Sequence, residues 1–133
     1  MAHALYEYEG ACSNIHGHSY ELHVSVIAGS NDDRYIPAPG IIFDFKDLKS
    51  IVRSAIIDNL DHRLVLSEEY IKMKITSPGL VNIFSFEAEP SAENILVFIR
   101  HKLDQALPSS IKLAALKLYE TKDSYAEWTN DDI

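Results

Sequence analysis

A chain of 133 residues, 47% hydrophobic and 24% charged, fits one globular domain spanning residues 1–133 and is too short for two of ordinary size. Its formal net charge of -8 comes with no clustered stretch of Lys and Arg, which argues against a nucleic-acid partner. The chain holds no apolar run long enough to cross a membrane, and Met1-Ala2-His3 lacks the layout of a secretory signal, so a soluble, cytoplasmic protein with no membrane partner is expected.

In chain order, the first clear pattern begins at Tyr20. Tyr20, Leu22, Val24, Val26 and Ala28 alternate with Glu21, His23 and Ser25, the period of a half-buried strand. Residues 29–40 carry Asn31, Asp32, Asp33, Pro37 and Pro39 and read as a surface loop, followed by the apolar triplet Ile41 to Phe43. Asp44 stands where a helix N-cap would. Phe45, Leu48, Ile51, Val52, Ala55 and Ile56 then recur three and four apart, predicting an amphipathic helix that ends near Asn59.

Residues 64–79 keep no sustained period and read as irregular, and Val81 to Phe86 read as a short strand before Pro90. Ser91 as N-cap and Glu93 in the first turn open a second helix, with Ile95, Phe98, Ile99, Leu103, Ala106 and Leu107 on its core face and Pro108 as its stop. Ile111 to Glu120 and Tyr125 to Trp128 are strands, joined by Thr121 to Ser124 in a connection short enough for a hairpin. This order predicts an α+β fold with helices on one face of an antiparallel sheet. So small a sheet leaves open edges, which pairing between identical subunits can cover.

The densest chemistry lies in Cys12-Ser13-Asn14-Ile15-His16-Gly17-His18, with His3 upstream. Residues i and i+2 of a strand face one side, so His16 and His18 can offer two imidazoles to one metal ion, with Gly17 leaving room between them. Alone, this pattern also suits two solvent-facing residues at a strand start. His3 adds a third imidazole, and three imidazoles with one open position is the arrangement of a catalytic zinc. Cys12, the only cysteine, excludes an internal disulfide and by itself reads as a small buried hydrophobe. Asp61-His62 suits a polar helix end, Glu120 a strand end facing solvent, and Glu93 a helix N-terminus. His23 and His101 match no motif and read as plain surface residues.

Six blocks carry a family resemblance: Ala2-His3-Ala4-Leu5, Cys12-x3-His16-Gly17-His18-Ser19-Tyr20, Phe43-Asp44-Phe45-x2-Leu48-Lys49, Leu60-Asp61-His62, Pro90-Ser91-Ala92-Glu93-Asn94 and Tyr119-Glu120-Thr121. In this order they resemble the 6-pyruvoyltetrahydropterin synthase / 6-carboxytetrahydropterin synthase (QueD) family. The resemblance implies a tunnelling fold: a four-stranded antiparallel sheet with two helices on one face, assembled through strand edges into trimers that stack as a hexamer. Members carry about one strand of residues before the Ala-His motif, so the first strand is expected to be largely missing here.

The resemblance further implies zinc on His3, His16 and His18, and Cys12 as a base beside the metal. It makes Asp61 and His62 the other half of a proton relay, and Glu120, assisted by Glu93, the anchor of the pterin. The small-molecule substrate it implies is 7,8-dihydroneopterin triphosphate. The short Cys-x3-His-Gly-His spacing resembles the carboxy-forming group, which releases triphosphate and acetaldehyde in making a queuosine precursor. Pyruvoyl formation is the runner-up. A non-catalytic zinc- or pterin-binding assembly protein of the same fold is the third possibility, disfavoured because binding alone needs none of Cys12, Asp61 and His62.

Overall fold

The computed structural model describes residues 1–29, 34–76, 79 and 82–133. Two short strands, β1 (Ala2–His3) and β2 (His16–Gly17), flank a loop with a single 3-10 turn at Ala11–Ser13, and the long strand β3 (Glu21–Ala28) follows. A helical stretch runs from α1 (Phe45–Val52) through a π-helical turn (Arg53–Ile57) into α2 (Asp58–Leu60). Next come β4 (Leu64–Ser67), α3 (Glu68–Lys74), β5 (Ile83–Phe86) and α4 (Ala92–Ala106), and the chain closes with β6 (Ile111–Tyr119) and β7 (Tyr125–Thr129).

The period-2 segments form an antiparallel sheet in the order β3-β6-β7. Leu22 pairs with Leu118 and Val24 with Leu116, and a bulge between Ser25 and Val26 shifts the register. The apolar face of this sheet meets α4, whose Ile95, Leu96, Ile99 and Leu103 are buried against Leu113, Leu116 and Leu118, with Ile56 and Leu60 closing one end. Each such side chain contributes about 1.5–3 kcal/mol by leaving water. Both predicted N-caps are made: Asp44 accepts from the Lys46 amide at 2.7 Å and Ser91 from the Asn94 amide at 3.3 Å. The α+β architecture with helices on one sheet face is therefore observed. Among the described residues this sheet has three strands, one fewer than the resemblance implies.

Several details differ from expectation. Within the stretch 64–79 expected to be irregular, residues 64–74 form β4 and α3, and residues 77 and 78 lie outside the described residues. The β4 strand has no alternation to read because it is covered on both faces, with Val65 and Leu66 fully buried and Ser67 nearly so. It joins a second sheet in the order β2-β1-β4-β5. β1 and β2 pair antiparallel there, while β1 with β4 and β4 with β5 are parallel, the second parallel pair being linked across α3. Ala106 is exposed and Phe45 is 79% exposed; most of the predicted face of the first helix packs on the core, Ile56 buried and Ile51, Val52 and Ala55 partly buried against it. Asn31, Asp32 and Asp33 of the expected loop, and Val81 of the expected strand, lie outside the described residues.

Candidate metal centre and active-site cleft

Pairing of β1 with β2 sets His3 opposite His16 and Ala2 opposite Gly17. The ladder continues one step, with the His18 amide donating to the Met1 carbonyl at 3.1 Å. The three imidazoles therefore converge, with ring centres 4.6 Å (His3 to His16), 5.3 Å (His3 to His18) and 4.9 Å (His16 to His18) apart. Each offers one nitrogen, and these atoms lie within 4.8 Å of one another. His3 Nδ1 lies 2.6 Å from the Pro90 carbonyl and His16 Nδ1 lies 2.7 Å from the Asn14 carbonyl. A carbonyl only accepts, so in neutral rings both Nδ1 atoms carry the proton and both Nε2 atoms keep a lone pair for a metal.

His3 is 2% exposed. Burial pushes its pKa below the ordinary 6.5, aided by His16 and His18 and opposed by the Pro90 carbonyl and Glu120. The neutral, ligating form is thereby favoured. The donor set fits zinc, which takes imidazole nitrogens at about 2.0–2.1 Å in a tetrahedron. Gly17 is not needed to keep the imidazoles apart. A Cβ there would meet the Met1 oxygen at 3.6 Å and Ala2 at 3.8 Å, both ordinary contacts.

The β3–β6 register, Glu21 opposite Tyr119, carries Tyr20 and Glu120 to the same end of the sheet, beneath the histidines. The Tyr20 hydroxyl donates to Glu120 Oε1 at 3.2 Å and lies 3.2 Å from His3 Nε2. Glu120 Oε1 is itself 3.6 Å from His3 Nε2. Glu120 is thus 25% exposed and engaged, unlike a strand end facing solvent. Burial, then Glu120, push the Tyr20 phenol well above 10, which keeps it a proton donor. In the sequence Tyr20 reads as a core-facing strand residue that closes the Cys12 to Tyr20 block, with no role in the site assigned to it. The available signal was its place two residues after the second histidine, on the inward face of the strand.

Cys12 is half-buried in the 3-10 turn, and its carbonyl accepts from the Leu5 amide at 2.8 Å. It lies near enough to Tyr20 to contribute to raising that phenol. Asp61 and His62 follow α2, and His62 takes a left-handed φ of 56°. This conformation is uncommon for a non-glycine residue, and such outliers gather at functional sites. The His62 amide donates to Asp61 Oδ1 at 3.1 Å, while its ring nitrogen stands 3.7 Å from Asp61 Oδ2, with the imidazole 94% exposed.

Asp61 and His62 line a cleft of about 460 Å³ together with His18, Ser19 and Tyr20, over a floor of Ile95, Ile99 and Leu118. Glu93 is not brought there. It is exposed in the first turn of α4, beside a groove shared with Arg100, Glu127 and Trp128. His101 is exposed, and His23 pairs with Glu21 at 2.6 Å on the outer sheet face.

A family model described as 6-pyruvoyl tetrahydropterin synthase matches residues 1–131. The chain is 30% identical to a 6-carboxy-5,6,7,8-tetrahydropterin synthase of Haemophilus influenzae, over 96% of this chain and 91% of that protein. It is also 30% identical to a 6-pyruvoyl tetrahydrobiopterin synthase of Pongo abelii, over 86% and 68% respectively. The fold is similar to that of a 6-pyruvoyl tetrahydropterin synthase from Plasmodium vivax, with a TM-score of 0.70, 18% identity, and coverage of 97% of this chain and 88% of that one.

Proposed function

Because the chain belongs to the 6-pyruvoyl tetrahydropterin synthase family, we propose that it is a zinc-dependent 6-carboxy-5,6,7,8-tetrahydropterin synthase, a lyase acting on 7,8-dihydroneopterin triphosphate. The observation that carries the reading is the convergence of His3, His16 and His18 beside the cleft lined by Asp61 and His62. Similarity to the Haemophilus influenzae protein over nearly the full length of both chains supports the carboxy-forming reaction. In this reading His3, His16 and His18 hold zinc, which when bound supplies Lewis acidity toward the side-chain hydroxyls of the substrate.

The protein's own groups move the protons. Cys12 serves as the general base that takes one from the substrate side chain. His62 serves the other side, with Asp61 beside it to orient the ring. Their 3.7 Å separation exceeds a hydrogen bond, and such contacts commonly tighten when substrate is bound. Glu120 accepts two parallel hydrogen bonds from the 2-amino group and ring nitrogen of the pterin, a bidentate match. The apolar floor of Ile95, Ile99 and Leu118 limits water around the reacting carbons.

The test is incubation of zinc-loaded protein with 7,8-dihydroneopterin triphosphate, with products identified by mass spectrometry. The reading expects triphosphate, acetaldehyde and 6-carboxytetrahydropterin. Retention of all three side-chain carbons would assign the 6-pyruvoyl product, a second reading favoured by the similarity to the Pongo abelii protein. No turnover by correctly folded, zinc-loaded protein would contradict both.

A further inference from the structure

Taking as its premise the reading that His3, His16 and His18 hold zinc, we propose that Asn94 is a positioning residue for that centre: it fastens the turn whose Pro90 carbonyl pins the His3 ring. Asn94 closes the block Pro90-Ser91-Ala92-Glu93-Asn94, none of whose residues lines the cleft. The Asn94 Nδ2 donates to the Glu89 carbonyl at 2.9 Å. The Ser91 amide donates to the same oxygen at 2.8 Å. A bond from the amide of one residue to the carbonyl two residues earlier closes a three-residue turn, and the ring of Pro90 at its centre already holds the φ that such a turn needs.

The turn reaches the metal site through one peptide unit. The Pro90–Ser91 peptide is planar, and its N–H and C=O point in opposite directions. With the N–H drawn to the Glu89 carbonyl, the C=O is aimed the other way, at His3 Nδ1 2.6 Å distant. Pro90 and His3 are both buried, so a displaced carbonyl would leave the Nδ1 proton unpaired. The Glu89 carboxylate meanwhile accepts from the Tyr6 amide at 2.7 Å, which ties the segment after β1 to the same turn. The bond at Nδ1 decides which nitrogen of His3 carries the proton and how the ring is rotated, and outer partners of this kind govern metal affinity. The Ser91 amide belongs to the turn itself. Asn94 is the side chain that anchors the turn to α4.

Zinc affinity is measured by chelator competition on metal-stripped protein, for the wild type, Asn94→Asp, Asn94→Ala and Ser91→Ala. Asn94→Asp keeps the shape and, in the first turn of α4, suits the helix dipole, but it turns an acceptor toward the Glu89 carbonyl. Its zinc affinity is expected to fall about tenfold, the lower end of what loss of an outer partner costs. Asn94→Ala removes the donor without opposing the carbonyl and should show a smaller fall; it carries the test by itself if Asn94→Asp does not fold. Ser91→Ala removes the other side-chain bond at this helix start, the one its hydroxyl accepts from the Asn94 amide. Its zinc affinity should match the wild type.

Unchanged zinc affinity in the Asn94 variants would overturn the proposal while leaving the three histidines as ligands. An equal loss in Ser91→Ala would also overturn it, since any loosening of the start of α4 would then suffice. A wild type that takes up no zinc would overturn the metal reading, and the proposal with it, so the two failures are distinguishable.

Discussion

His3 carries the largest share of the site's physics. It is a buried imidazole tied to Pro90 through Nδ1, with Glu120 3.6 Å from Nε2 and the Tyr20 hydroxyl within 3.4 Å of both nitrogens. Its folded-state pKa lies below 6.5 because burial disfavours the cation, so the unfolded chain binds more protons than the folded one as pH drops below that value. Its contribution to stability is therefore fully present above pH 6.5 and is lost as pH falls through the lowered folded-state value. Urea midpoints of metal-free protein should fall between pH 8 and pH 5, and the fall should be smaller in His3→Gln. An equal fall in both would remove His3 as its source.

A second expectation at this scale concerns Cys12. Cys12→Ala should abolish turnover while zinc content and circular dichroism stay at wild-type levels, because Cys12 is assigned as a base and not as a ligand. Loss of zinc in that variant would make Cys12 a metal ligand instead.

Among the elements, those with a long period were legible in the sequence and the short buried ones were not. β3, β6 and α4 each present one apolar face to the core, so their periods of 2 and 3.6 survive in the residue order. β4 has four residues and no exposed face to break the apolar run, and α3 has seven residues. Neither is long enough to establish a period, although the Ser67 cap with Glu68 and Glu69 behind it was a readable helix start. The histidines of the site were legible as a motif. Their convergence rests on the two-residue strands β1 and β2, too short to be read from pattern. The engagement of Glu120 rests on a register that brings Tyr20 and Glu120 together from 100 residues apart. Where a cap is read from sequence and observed, its removal should cost what such caps cost: Ser91→Ala is expected to lower stability by about 1 kcal/mol, seen as a lower urea midpoint at unchanged slope. An unchanged midpoint would mean that packing alone holds the start of α4.

For the whole molecule, the three-stranded sheet has β3 and β7 as its outer strands, with no further strand beside either among the described residues. Large apolar side chains also face outward, Tyr35 at 101%, Phe45 at 79% and Ile41 at 55% exposure. Unpaired strand edges and exposed apolar residues favour self-association. Light scattering at micromolar concentration should therefore give a mass that is a multiple of the 15.0 kDa chain, six chains being the number that the family resemblance implies. A monomer would contradict this.

The central claim is that the three-histidine cluster is the catalytic metal centre, and zinc reconstitution of the metal-stripped protein tests it most directly. Triphosphate release from 7,8-dihydroneopterin triphosphate is followed as zinc is added back to the wild type and to His16→Ala. The account predicts no release from the stripped protein, recovery that saturates at one zinc per chain, and neither zinc retention nor recovery in His16→Ala. Full activity without metal, or a fully zinc-loaded and active His16→Ala protein, would contradict it.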